Sequence, residues 1–289
     1  MARENRYSLG ADPEVFVGDV RTGGVVPIVG MLGGTKQKPI PIADSPKGYF
    51  FQEDNVMAEY NIPPCYDPRE FSRAIHHGLA SLRKALPEHV DAVRGSEYMF
   101  KEALLQTDEA KLFGCSPDFD AYSGDNAQRP PVDTSVLVDT GGEWRMAGGH
   151  VHIGMPDNIL EEMPRHVLAM FCDAMIGLPS VSVDKQPRRR TLYGSSGTYR
   201  PTKYGIEYRV LSNFWLFDRS YTMSVGTAAA TMCQNIINDV MHNGGRTFLR
   251  AYEEAPWHDV RAAIDTQDEQ MASDLTGFFY KKHGLGVRI

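Results

Sequence analysis

Along the N-terminal stretch, apolar and polar residues alternate in short runs, and the spacing later turns helical. Residues 7–17 read as a strand interrupted at Gly10, followed by turns around Gly23, Gly24, Gly33, Gly34, Pro39 and Pro41. Residues 49–51 and 56–62 flank Glu53-Asp54-Asn55 and predict a hairpin-like pair of strands. Asp67-Pro68-Arg69-Glu70 has the residues of a helix start, with Asp67 as cap and Glu70 closing a capping box. Phe71, Ile75, Leu79 and Leu82 then recur at helical spacing as a core-facing stripe. A second helix is predicted after Pro164, with Val167, Met170, Phe171 and Ala174 inward; Met170 and Met223 read as fully buried core. A third spans 220–242 and stops at Gly244-Gly245, and a fourth spans 258–280 with a break near Thr266. Residues 123–140 read as a loop, and 188–201 as a mobile loop before a strand. Strands and helices in mixed order favour an α+β fold with a largely antiparallel sheet over a doubly wound one.

Composition narrows the class. The 289 residues are 42% hydrophobic and 23% charged, enough for one elaborate globular domain over 1–289, with a helical part at 216–289. A net charge of −7 offers no long-range attraction to duplex nucleic acid. Cys65, Cys115, Cys172 and Cys233 are too widely spaced for a zinc ribbon and read as reduced thiols of a cytoplasmic protein. No apolar run reaches membrane-spanning length, so a soluble, intracellular protein is expected.

The candidate chemistry lies in charged pairs two residues apart, which share one face of a strand. Asp12 and Glu14, His150 and His152, and Glu207 and Arg209 form such pairs, and Glu59 has Asn61 as its companion. Taken singly, these are turn residues, exposed histidines or a surface ion pair. Taken together, flanked by Val15, Phe16, Val151, Ile153, Ile206 and Val210, they are carboxylates on buried strands, which calls for neutralising cations. Carboxylates with one imidazole suit Mg²⁺ or Mn²⁺ better than zinc, and Mg²⁺ pairs protein carboxylates with substrate phosphates. Arg200 and Arg209 add guanidinium groups suited to phosphate.

Five segments carry a resemblance. Gly10-Ala11-Asp12-Pro13-Glu14, the stretch from Asp54-Asn55 to Glu59 with Asn61-Ile62-Pro63-Pro64, and Gly149-His150-Val151-His152 are the first three. Tyr193-Gly194-Ser195-Ser196-Gly197-Thr198-Tyr199-Arg200 and Gly205-Ile206-Glu207-Tyr208-Arg209 complete the set. In order and type they resemble the glutamine synthetase and glutamate–cysteine ligase superfamily, and most closely its phage-associated COOH–NH2 ligases. That resemblance implies a curved antiparallel sheet with helices on its convex side. It implies an ATP-dependent ligase joining a carboxylate to an amine through an acyl phosphate, with Mg²⁺ or Mn²⁺. It makes Asp12, Glu14, Asp54, Glu59, His150 and Glu207 metal ligands, with His150 rather than His152 as the imidazole. His152 falls nearer the nucleotide phosphates, and Arg200 and Arg209 contact the transferring phosphate. Asp54 needs a bulge or turn to share a face with Glu59. Asp12 stands where the superfamily carries glutamate, so its carboxylate reaches less far. The expected partners are small-molecule carboxylates and amines, in the host cytoplasm if the gene is phage-borne, with homo-oligomers possible. A metal-dependent hydrolase using the same histidines and carboxylates, and a non-catalytic nucleotide-binding protein, are the rival readings.

Overall fold

The computed structural model describes residues 6–113 and 117–285; Cys115 lies outside the described residues. The first strand is divided into β1 (Ser8–Ala11), β2 (Glu14–Val15) and β3 (Val17–Asp19). The interruption falls at Asp12-Pro13 rather than at Gly10, because Pro13 has no N–H for a ladder. Gly10 stays within β1, opposite His152. Then come β4 (Gly24–Val26), β5 (Ile40–Pro41) and the expected hairpin, β6 (Phe50–Asp54) with β7 (Met57–Asn61). Asn55 turns this hairpin at φ 58°, a left-handed conformation that asparagine tolerates.

Helix α1 (Pro68–Ala85) is capped by the Asp67 carboxylate, which accepts from the Arg69 and Glu70 amides at 2.8 Å each. Glu70 reaches back to the Tyr66 amide (2.7 Å), one residue before the cap, so the box is closed one position early. Next are β8 (Val90–Ala92), β9 (Glu97–Lys101), α2 (Asp108–Lys111) and β10 (Phe119–Asp120). The expected loop at 123–140 contains a 3-10 turn, Thr134–Leu137, and β11 (Val138–Asp139), which leads into β12 (Gly142–Met146) and β13 (Val151–Gly154). Unforeseen α3 (Asp157–Glu162) precedes α4 (Arg165–Cys172), which continues through a π-helical turn, Asp173–Gly177, into α5 (Leu178–Ser180). Residues 188–201, expected to be a mobile loop, instead include most of α6 (Pro187–Thr191) and the start of β14 (Thr198–Thr202), with Arg189, Arg190 and Ser196 buried. The chain ends with β15 (Gly205–Tyr208), α7 (Arg219–Asn243), α8 (Arg246–Glu254), α9 (Trp257–Asp265) and α10 (Glu269–His283). The break near Thr266 and the left-handed cap at Gly244 are as expected; α8 is not.

The fold is α+β, and every strand pairing among the described residues is antiparallel. A five-stranded sheet runs β1-β13-β15-β14-β10 and a four-stranded sheet runs β2-β7-β6-β5; β11-β12-β9 and β4-β3-β8 are smaller. Leu9, Val151, Ile153, Ile206 and Tyr208 lie in the main core, where α1 and α7 meet β1 and α4 meets β14 and β15. Met170 is in that core, whereas Met223 is only partly buried. Because side chains alternate, one face of the large sheet is committed to helices and the other is left for the polar residues.

Candidate metal and active site

Register builds the site. On the large sheet, Gly10 lies opposite His152, His152 opposite Glu207, and Glu207 opposite Arg200, one row across four strands. His150 and Arg209, two residues away on their own chains, share that face. Gly10 keeps the end of the row open: a Cβ there would stand 3.4 Å from the His152 Cβ. On the four-stranded sheet, Glu14 lies opposite Glu59 and Glu59 opposite Gln52. Asp54 follows Gln52 by two residues and therefore joins the Glu59 face, so the hairpin register resolves its odd offset. The Asp12-Pro13 step between β1 and β2 carries the chain from one sheet to the other, so Asp12 stands on one side and Glu14 on the other.

Two donor groups result. Ligand atoms of Asp12, His152 and Glu207 lie within 4.8 Å of one another, as do those of Glu14, Asp54 and Glu59. All six are buried or nearly so. The imidazole in the first group is His152, with Nε2 3.1 Å from Asp12 Oδ1. His150 Nδ1 is also near, 3.5 Å from Asp12 and 3.4 Å from Glu207, and it faces Arg209 Nη1 at 3.3 Å. Arg209 pairs with Glu207 and, through Nε, with Asp118 at 2.8 Å. Arg200 Nη1 reaches Glu207 at 3.2 Å. Asp118, Lys36 and Gln52 were missed by sequence reasoning. Asp118 sits in no alternating pattern, and Lys36 is set by the fold of a distant turn.

The electrostatics point the same way. Burial raises the Glu59 carboxyl well above its usual range, and Asp12, Asp54 and Glu14 raise it further. Burial pushes Asp12 upward too, but His152 and His150 override it and hold the carboxyl well below the usual range. Burial opposes ionisation of Glu207 as well, and Arg209, with His150 and Arg200, more than compensates. Burial disfavours the charged His152 ring, yet Asp12 beside it raises its pKa. Asp12 Oδ1 and His152 Nε2 are buried and make no directed hydrogen bond among the described residues. Such atoms fit a cation, and the oxygen-only second group fits a hard divalent ion such as Mg²⁺ or Mn²⁺.

A buried polar layer holds these strands in place. Arg189 donates to the Val210 and Arg209 carbonyls (2.6 and 2.9 Å), and Arg190 pairs with Asp184 at 2.9 Å. Asp184 accepts from the Ser212 amide and hydroxyl, and Asn213 donates to the Glu14 carbonyl. Gly148 donates to Glu14 Oε2 (2.6 Å), and a side chain at Gly148 would run into the His150 ring. A cleft of about 460 Å³ open to solvent adjoins Glu14, Asp54, His150 and Arg209, with Phe113, Leu137, Trp144 and Met146 as an apolar wall. Among the described residues, no helix is long and apolar enough to cross a membrane.

No curated protein matches the chain. A family model described as phage phiEco32-like COOH.NH2 ligase-type 2 matches residues 141–276, which include His150, His152, Arg200, Glu207 and Arg209. Through this segment, the chain is similar to the phage phiEco32-like COOH.NH2 ligase-type 2 family, whose description is that of a carboxylate–amine ligase.

Proposed function

We propose that the protein is an ATP- and Mg²⁺-dependent (or Mn²⁺-dependent) ligase that forms an amide or isopeptide bond through an acyl phosphate. The observation that carries this reading is the pairing of Arg200 and Arg209 with Glu207 of one donor group, next to a cleft that Arg209, His150 and the Glu14 and Asp54 carboxylates of the other group line. The five- and four-stranded sheets are read as two halves of one curved, glutamine-synthetase-like surface, supported by the chain passing directly from β1 to β2. Asp12, His152 and Glu207 hold one divalent ion and Glu14, Asp54 and Glu59 a second, with His150 in reach of the first. Bound there, such ions supply charge neutralisation and anchor the nucleotide phosphates.

The chain's own groups do the rest. Arg200 and Arg209 meet the charge that develops on the transferring phosphoryl group, the largest task in such transfers. The apolar wall of Trp144, Phe113 and Leu137 accepts a flat heteroaromatic base. A substrate carboxylate oxygen attacks the γ-phosphorus and ADP leaves. An amine nitrogen then attacks the acyl carbon, phosphate leaves, and the amine gives up a proton. Small carboxylates and amines are the substrates. Buried Cys65, Cys172 and Cys233, all free thiols, support a cytoplasmic setting.

A phosphate-release screen over amino acids and polyamines with Mg·ATP tests this. ADP release is expected only when both a carboxylate and an amine are present. Glu207→Ala is expected to abolish it, by about 10³-fold or more, with the fold intact. Retained turnover in that variant refutes the metal role of Glu207. Activity without nucleotide points to a metal-dependent hydrolase, and ATP binding with no turnover to a binding protein.

A further inference from the structure

Three carboxylates, Glu14, Asp54 and Glu59, are turned toward one point, and all are buried. Like charges gathered this way need a cation. The chain brings one of its own: Lys36 Nζ lies 2.8 Å from Asp54 Oδ2. Lys36 stands at the tip of a tight turn closed by reciprocal backbone bonds between Thr35 and Lys38 (3.1 and 3.0 Å). The base of that turn is clamped. Glu53 accepts from the amides of Gly30, Leu32 and Gly33 at 2.8, 2.8 and 2.7 Å, and its own amide donates to the Gly34 carbonyl. Gly34 has φ 80°, and a Cβ there would sit 2.7 Å from Ile40 Cγ1 and 2.8 Å from the Phe51 carbonyl. Only glycine lets the turn press so closely on β6.

The backbone under Lys36 is thus fixed, while its side chain is 36% exposed and can withdraw into water. Lysine is a compact point charge on a flexible stem, whereas a divalent ion brings twice the charge and can bind several oxygens at once. We propose that Lys36 is the resident counter-ion of the Glu14–Asp54–Glu59 group and is displaced from it when a divalent ion loads. This inference rests on the metal reading of that group. It sets an order of loading: the Asp12–His152–Glu207 group, paired with arginines rather than with a lysine among the described residues, fills first. The released ammonium stays at the mouth of the cleft that Asp54 lines, in reach of an incoming anion.

Two measurements on the full-length protein test the displacement. Brief acetylation with an amine-reactive reagent, read residue by residue by mass spectrometry, compares protein stripped with EDTA and protein saturated with Mg²⁺. Lys36 reactivity is expected to rise several-fold on Mg²⁺ loading, with the exposed Lys38 and Lys47 unchanged. Calorimetric titration with Mn²⁺ is expected to show two sites in the wild type. In Lys36→Met the weaker site tightens about tenfold, a typical coupling between competing ligands. Mn²⁺ binding at both sites with unaltered Lys36 reactivity overturns the displacement and leaves the metal reading standing. A wild type that binds no Mn²⁺ overturns both.

Discussion

Asp173, on the helical side of the large sheet, is a carboxyl with no solvent contact. It accepts from Tyr122 Oη (2.8 Å), Tyr208 Oη (2.7 Å) and the Gly197 amide (2.7 Å). Burial pushes its pKa up to about 7. The folded chain therefore keeps a proton that the unfolded chain releases near pH ~4. The stability this contributes is complete below pH ~4 and is lost as pH rises toward ~7. The wild type's advantage over Asp173→Asn should shrink by up to about 4 kcal/mol across that interval, as read from urea melts. A difference that does not vary with pH contradicts the assignment. Glu59 shows the same conflict at the site itself, since its burial and the carboxylates of Asp12, Asp54 and Glu14 oppose its charge and outweigh the favourable Lys36 ammonium. Glu59→Gln is expected to stabilise the metal-free protein by about 1 kcal/mol while reducing the stabilisation that Mg²⁺ gives to the share of the Asp12–His152–Glu207 group. A metal-free variant that melts lower than the wild type would count against this.

The site depends on elements that differ in how far they could be read from sequence. The i, i+2 pairs on β13 and β15 were legible because a strand fixes which side chains share a face. Glu59 was legible for the same reason, and α1 and α7 because their caps and apolar stripes are local. Asp54 was less so, since its facing depends on how the Asn55 turn sets the register of β6 against β7. The run Arg188-Arg189-Arg190 misled: three adjacent cations look like a solvated loop, yet Arg189 and Arg190 are buried on carbonyls and Asp184. Their partners include Val210, twenty residues on for Arg190, a distance at which local pattern carries no signal. The connection from β12 to β13 that carries His150 is equally constrained. A Cβ on Gly149 would collide with the Ser212 carbonyl and stand 2.6 Å from Trp215 Nε1. Gly149→Ala is expected to destabilise the fold by about 1–3 kcal/mol, measured by chemical denaturation. A neutral result would contradict this close approach of Gly149 to the Ser212 carbonyl.

For the molecule as a whole, the α+β class and antiparallel pairing were readable from element order, while the division into separate sheets was not. That division arises at Asp12-Pro13, where one missing amide hydrogen ends a ladder, and it decides that the carboxylates form two groups instead of one. An acidic chain with this concentration of buried negative charge should melt higher with divalent ions. At 100 times the dissociation constant, linkage gives about 2.7 kcal/mol. The two-group arrangement can be seen in a single crystallographic experiment: anomalous diffraction from crystals soaked in Mn²⁺. Two peaks are expected, one among Asp12, His152 and Glu207 and one among Glu14, Asp54 and Glu59. A map with density at neither position, or with manganese elsewhere on the surface, would contradict the metal centre and the ligase chemistry built on it.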